Sequence, residues 1–364
     1  MVSGFNVIAL DKNYQIVSLL RYTNLQWNRK YFEPGSFSLE IPLEQYNPQY
    51  KYIYTKDRPE MGKITQVNYV DQGSYRAIYL SGYFLENELN RRVVYRNGTT
   101  NIVNVPEWVN KTGKAEDVAF AFFNAFKDVT LSDGRKCLLG IEAGKNQLRG
   151  KTAAHERCGE YLGNKIYHIL KASKMSYRIS YDFQTSKKVF NVWSGYDRTQ
   201  EQTENNPIIF STHYGNIKKP NVLTDYTNYK NGCIVDNESD AKAHSQVVLE
   251  RTSESDDFHD NFFYLKSVIN RNDYPSDSEI IGALESEGYA ELADHVKTVN
   301  VEFDAMEGSY EYMLDFDLGD ICSIEIPEVS ISADAVLIGC YEVIKKGTWG
   351  LTLEFGTPIL KNRR

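Results

Sequence analysis

The sequence predicts an α+β fold, with a block of antiparallel strands at each end of the chain and inserted α/β segments between them. Three observations predict it. Period-two apolar alternation and turn residues fill the first hundred residues and return from 298 onward. Helical spacing is confined to stretches between those blocks. The 364 residues include 26 Tyr, 17 Phe and 4 Trp, a composition suited to pleated, half-buried surfaces and to interfaces.

Taken in order, "FSLEIPL" places Phe37, Leu39, Ile41 and Leu43 on one face, with turn chemistry in "EPGS" before it. "GKITQVNYVDQGSYRAIYLSGYFL" reads as a hairpin of strands 63–70 and 74–81 about Asp71-Gln72-Gly73. Such a meander has one apolar face to cover, which points to a small barrel or sandwich. Helical periodicity follows in "KAEDVAFAFFNAF", where Val118, Ala119, Phe122, Phe123 and Phe126 form a stripe and Thr112 is the expected N-cap. A second helix is expected from Thr152, with Cys158, Leu162, Ile166, Ile169 and Leu170 inward. "MSYRISYDFQTSKKVFNVWSGYD" returns to strand with a hairpin at Thr185-Ser186, and the polar run 197–206 reads as loop. "QVVLE" and "NFFYLKSVI" read as strands, and a third helix is expected over 278–295, with Ile281, Leu284, Leu292 and Val296 apolar. "VNVEF", "YMLDF", "ICSIEI", "AVLIGCYEVI" and "GLTLEFG" complete the second block, whose last hairpin turns at Lys345-Lys346-Gly347. The expected regions are therefore a first β-barrel region at 1–105, a mostly helical insert at 106–175 and a β-rich segment at 176–235. An α/β insert at 236–297 and a second β-barrel region at 298–364 follow.

Composition excludes several function classes. A formal net charge of −8 argues against a dedicated nucleic-acid binder, which presents a basic footprint. The N-terminus lacks the pattern of a signal peptide, and no apolar run reaches the length of a membrane span. Cys137, Cys158, Cys233, Cys322 and Cys340 are odd in number and widely spaced. They read as reduced, buried thiols of a protein made in a cytoplasm. The N-x-[ST] matches at Asn97, Asn110 and Asn237 then carry no glycosylation signal.

No catalytic motif stands out. The sequence has no G-x-S-x-G, no H-E-x-x-H and no phosphate-binding glycine loop. Asp256, Asp257, His259 and Asp260 in "SDDFHD" match neither zinc nor calcium spacing and read as a solvated loop. His155 and His168 are thirteen residues apart on one expected helix and read as surface residues, while Cys158 reads as a core thiol. No cofactor is implied. The densest polar knot is "DFDLGD", residues 315–320. As a catalytic cluster it would use Asp315, Asp317 and Asp320. As a structural turn it would use Leu318 facing inward, Gly319 at positive φ and Asp320 accepting backbone N–H groups, with Asp315 and Asp317 on a solvated face. The turn is the preferred reading.

Five stretches carry a family resemblance: "GSFSLEIPL", "GYFLENELNRRVV", "VFNVWSGYDRTQEQTENNPIIFSTHYGNI", "YTNYKNGCIV" and "DFDLGDICSIEIPE" leading to "LTLEFG". In that order they resemble the hub proteins of phage tail tips, both the N-terminal hub of tail-associated lysins and the baseplate hub of contractile-tailed phages. The resemblance implies two small tube-type β-barrels with inserted domains, forming a ring, usually a homotrimer. It implies contact with the distal tail protein, the tail tube and tape measure proteins, and tip or fibre proteins. DNA would pass through without specific binding, no membrane would be engaged, and the protein would reside at the virion tail tip. In many relatives a long C-terminal extension holds a cell-wall hydrolase or receptor-binding region. Here the sequence ends at "PILKNRR", so a hub without enzymatic activity is expected. The alternatives are a cell-wall hydrolase and a carbohydrate- or receptor-binding tail module.

Overall fold

A computed structural model describes residues 5–95, 102–103, 111–155, 159–237, 246–250, 261–267, 276–292, 295, 298–306 and 308–360. The chain divides into two compact units, one of Met1–Pro220 with Glu302–Arg364 and one of Asn221–Val301.

The main unit is built on a large sheet that runs, strand by hydrogen-bonded strand, from Ile16–Leu19 through Ile8–Leu10, Tyr52–Tyr54, Met61–Asp71 and Arg76–Phe84. It continues through Ser36–Pro42 and Asn24–Lys30 to Ile331–Lys345 and Thr348–Leu360. Alternation sets its faces: Phe37, Leu39 and Ile41 are buried with Leu25, Trp27, Ile53, Ile78 and Leu80. The first hairpin reverses at Gln72–Tyr75, with Gly73 at φ +79°. The last one reverses through Lys346 (φ +50°) and Gly347 (φ +79°), the two-residue loop whose twist matches antiparallel strands.

Strand Ile331–Lys345 changes partners half-way. Its first half pairs with Ile321–Ile326, from Ile331↔Ile326 to Val336↔Ile321, and its second half pairs with Asn24–Lys30, from Gly339↔Lys30 to Lys345↔Asn24. Thr348–Leu360 accompanies both halves on the other side, with register shifts at Asp334/Val336 and Leu337/Gly339. One strand thus belongs to both terminal blocks. The C-terminal block packs on Phe210, whose ring lies 5.1 Å from Phe303, 5.3 Å from Phe316 and 5.6 Å from Phe355.

Between the blocks, helices Ala115–Phe126 and Leu162–Lys171 bury their apolar stripes against the hairpin Ser176–Asp182/Lys187–Trp193. Phe123 stacks on Phe190 at 4.2 Å. Both helices begin later than the sequence predicts. Thr112 is not a cap: Lys111–Lys114 pairs as a strand with Thr152–His155. The orphan N–H groups of Ala115 and Glu116 are taken by the carbonyls of Lys151 and Arg149 (2.9 and 3.1 Å), which makes a side-chain cap unnecessary. Thr152 and His155 accordingly lie in a strand, and Gly159 at φ +90° separates that strand from the helix. Cys158 lies outside the described residues.

"YMLDF" is not a strand. Residues 312–316 turn back on themselves, with Met313 at φ +70° and its N–H on the Phe316 carbonyl at 2.7 Å. The polar run 197–206 is mostly loop, but Asp197 and Arg198 pair with Ile321 and Cys322.

In the second unit, strand Gly232–Asn237 pairs antiparallel with Gln246–Glu250 and parallel with Phe262–Ser267. Helix Asp277–Leu292 buries Ile280, Leu284 and Leu292 with Cys233 and Val235. Ile281, expected on the inner face, is exposed, and Ile280 takes its place. Val296 and the "SDDFHD" cluster lie outside the described residues.

Candidate functional site: a charged joint between the terminal blocks

The partner change of strand Ile331–Lys345 would leave backbone groups unpaired at residues 337–338, and buried unpaired groups are costly. The "DFDLGD" knot fills that gap. Gly319 N–H donates to the Leu337 carbonyl and Leu337 N–H to the Asp320 carbonyl, both at 2.8 Å, while Tyr31 N–H donates to Ile338 at 2.9 Å. Gly319 adopts φ +90°, and a Cβ there would lie 2.5 Å from the Tyr31 ring. Gly195 presses on the same turn, its own would-be Cβ 2.1 Å from the Gly319 carbonyl carbon.

Each carboxylate of the knot has its own donors. Asp320 is buried and accepts Tyr196 N–H and Arg198 Nε at 2.7 Å and Asp317 N–H at 3.0 Å. Asp317 accepts Arg29 Nη1 at 2.6 Å, so it is not the free surface carboxylate that period two suggested. Asp315 accepts Glu311 N–H at 2.7 Å. Leu318 is buried. The three carboxylates thus each engage their own set of donors.

Sequence reasoning missed the basic side of the joint. Arg29 is wholly buried and gives Nε to Glu60 (2.9 Å) and Nη1 to the Tyr312 hydroxyl (2.6 Å) as well as to Asp317. Alongside it, Arg58 forks onto buried Glu342, with Nε on Oε1 at 2.7 Å and Nη2 on Oε2, and Trp349 Nε1 reaches Oε2 at 3.1 Å. The Arg58 guanidinium also lies 4.4 Å from the Phe5 ring. The signal was present in the alternation. Arg29 follows Leu25 and Trp27 at period two, and Glu342 stands between Cys340 and Ile344, so both occupy inward positions that demand a partner.

Burial pushes the Cys322 and Cys340 thiols well up, away from the reactive thiolate. Cys137, read from the sequence as a buried thiol, is instead exposed and free. Among the described residues no group of three or more His, Cys, Asp or Glu is placed to hold a metal ion. No described helix is long and apolar enough to cross a membrane.

The family model of the Siphovirus ReqiPepy6 Gp37-like proteins matches residues 7–357. The chain belongs to that family. The family member's fold is similar to that of the tail protein from Neisseria meningitidis MC58, at TM-score 0.58 and 12% identity over 97% of each chain. It is also similar to the 43 kDa tail protein of prophage MuSo2 from Shewanella oneidensis, at TM-score 0.58 and 8% identity, covering 96% of this chain and 97% of that one. No curated protein matches the sequence.

Two expected results concern this joint and the carboxyl groups of the neighbouring 3-10 turn Leu85–Arg91. Gly319→Ala lowers stability by about 1 kcal/mol or more, because φ is positive and the Tyr31 ring must move. Asp315→Asn costs under about 0.5 kcal/mol, since the amide oxygen still accepts from Glu311. Urea unfolding ranks the pair, and the opposite ranking would give Asp315 a role beyond the turn.

The second result is a pH dependence. Burial, with Glu60 adding to it, pushes the Glu86 carboxyl up to about 7, against the opposing pull of Arg178 and the Ile179 N–H. A raised folded pKa means that the folded state binds the proton more tightly. Its stabilisation is complete below the ordinary carboxylate range and is lost as pH rises through about 7. Glu88 behaves oppositely. Burial would raise it, but hydrogen bonds from Lys63 and Arg91 outweigh burial and hold it low, so its contribution is lost only in acid. Raising pH from about 5 to 8 therefore lowers the urea midpoint, by roughly 1–3 kcal/mol in stability terms, and Glu86→Gln abolishes that fall. A wild-type midpoint that is flat over this window would show that Glu86 stays ionised.

Proposed function

We propose that the chain is a structural hub protein of a phage or prophage tail tip or baseplate, a ring-forming component that continues the tail tube. The single observation that carries this reading is the tail-protein fold, similar over 96% or more of the chain to two tail proteins. The joint supports it. A strand shared by both terminal blocks and braced by buried ion pairs suits a part that bears load, and its carboxylates are engaged in structure instead of chemistry.

In this reading the regions 1–105 and 298–364 are two tube-type β-barrels, separated by the regions 106–175, 176–235 and 236–297. The ring is a homotrimer that meets the distal tail protein on one side and tip or fibre proteins on the other, in line with tail tube and tape measure proteins. The net charge of −8 suits a conduit through which DNA passes without specific binding. The protein is made in the host cytoplasm, acts at the virion tail tip without enzymatic activity, and engages no membrane.

Size exclusion with light scattering on the purified chain, together with a map of the assembled tail, tests the proposal. A trimer in solution or a threefold ring at the tail tip is expected. A monomer at every concentration and in the tail would sink it, and would favour a receptor-binding module or a cell-wall hydrolase instead.

A further inference from the structure

Five buried polar atoms of the main unit have no protein hydrogen-bond partner and belong to residues lining one crevice beneath the knot. They are Arg29 Nη2, Arg178 Nη2, Trp193 Nε1, Glu60 Oε2 and Glu86 Oε2. Leu318 of the knot closes one wall. The residues come from separate elements: Asn24–Lys30, the hairpin Ser176–Asp182/Lys187–Trp193, and the turn of 3-10 helix at Leu85–Arg91, with Glu60 just before strand Met61–Asp71. Arg178 lies 3.7 Å from Glu60 Oε1, too far for a hydrogen bond, and its guanidinium is held 4.3 Å from the Trp193 ring. Buried donors and acceptors are mostly paired in folded proteins, and ordered water satisfies many that lack a protein partner.

Size and charge select the guest. The crevice has room for about one water molecule. An anion would meet two arginines but also two carboxyl groups, and a cation would meet the reverse. A water, with two donors and two acceptor sites, can pair two of the three N–H donors and both carboxyl oxygens at once. We propose that this crevice is a binding site for a single water molecule, which accepts from two of the three arginine and indole nitrogens and donates to Glu60 and to ionised Glu86. The water would tie the first block to the central hairpin directly under the joint.

A crystal structure of the full chain at a resolution that orders solvent, paired with a bromide soak, tests this site. The expected result is one solvent peak within hydrogen-bond distance of at least two of the five atoms, with no anomalous signal after the soak. An empty crevice, or Glu86 bonded directly to Arg178, would overturn the proposal. A bromide peak would overturn it too, since it would identify a halide site. Oxygen-17 relaxation dispersion gives a solution counterpart: one fewer long-lived water in Glu86→Leu than in the wild type. Equal counts in the two proteins would place the long-lived water elsewhere and count against the site.

Discussion

Arg29→Met lowers the stability of the main unit by about 3–5 kcal/mol, the cost of leaving a buried ion network without its cation. Methionine is unbranched and extends the apolar alternation of Leu25 and Trp27, so the loss reports charge and hydrogen bonding more than volume. What remains in the variant is Glu60, nearly buried, and Asp317, both deprived of the guanidinium that held them at 2.9 and 2.6 Å. The companion variant Arg29→Met/Glu60→Gln removes one of the two stranded charges as well and recovers part of the loss, with a coupling of about 1–3 kcal/mol. Guanidinium unfolding of the wild type, both single variants and the double variant measures that coupling. Strictly additive losses would show that Arg29 and Glu60 do not act as a pair.

Gly195→Ala is expected to cost about 3 kcal/mol, at the upper end of overpacking changes. The added methyl carbon would lie 2.1 Å from the Gly319 carbonyl carbon and 2.3 Å from the Asp320 nitrogen. Those are backbone atoms fixed by the bonds to Leu337 and cannot rotate away, as a side chain could. Gly195 must retreat or the turn must open, and opening it exposes Asp320 and its three donors together. Gly282→Ala is the contrasting case. It lies within helix Asp277–Leu292 with nothing within 4 Å of its would-be Cβ, and gains about 1 kcal/mol from helix propensity. An unchanged unfolding midpoint for Gly195→Ala would mean that the turn is not packed against residue 195 in solution.

Much of the local structure is legible in the sequence because it obeys local rules. Phe37, Leu39 and Ile41 alternate toward the core as their spacing requires, and the hairpins at Gly73, Ser186 and Gly347 turn where small or polar residues permit positive φ. The stripe Phe122, Phe123 and Phe126 marks a buried helix face.

Pairing between distant segments was decided only by the tertiary structure. Thr112 and Thr152 both read as helix starts, since either residue can cap, but residues 111–114 and 152–155 find one another as strands. A backbone carbonyl from a loop can satisfy a helix N-terminus as well as a threonine hydroxyl, and local sequence does not reveal which is at hand. The charged joint is the stronger case. Arg29 and Asp317 are 288 residues apart, as far in sequence as nearly any pair in the chain. Periodicity reports which face of a strand is buried, and so marks Arg29 and Glu342 as inward. It carries no information about which distant carboxylate or guanidinium will neutralise them. That depends on strand Ile331–Lys345 changing partners, a non-local event in which backbone pairing on one side ends at Val336 and resumes on another strand at Gly339.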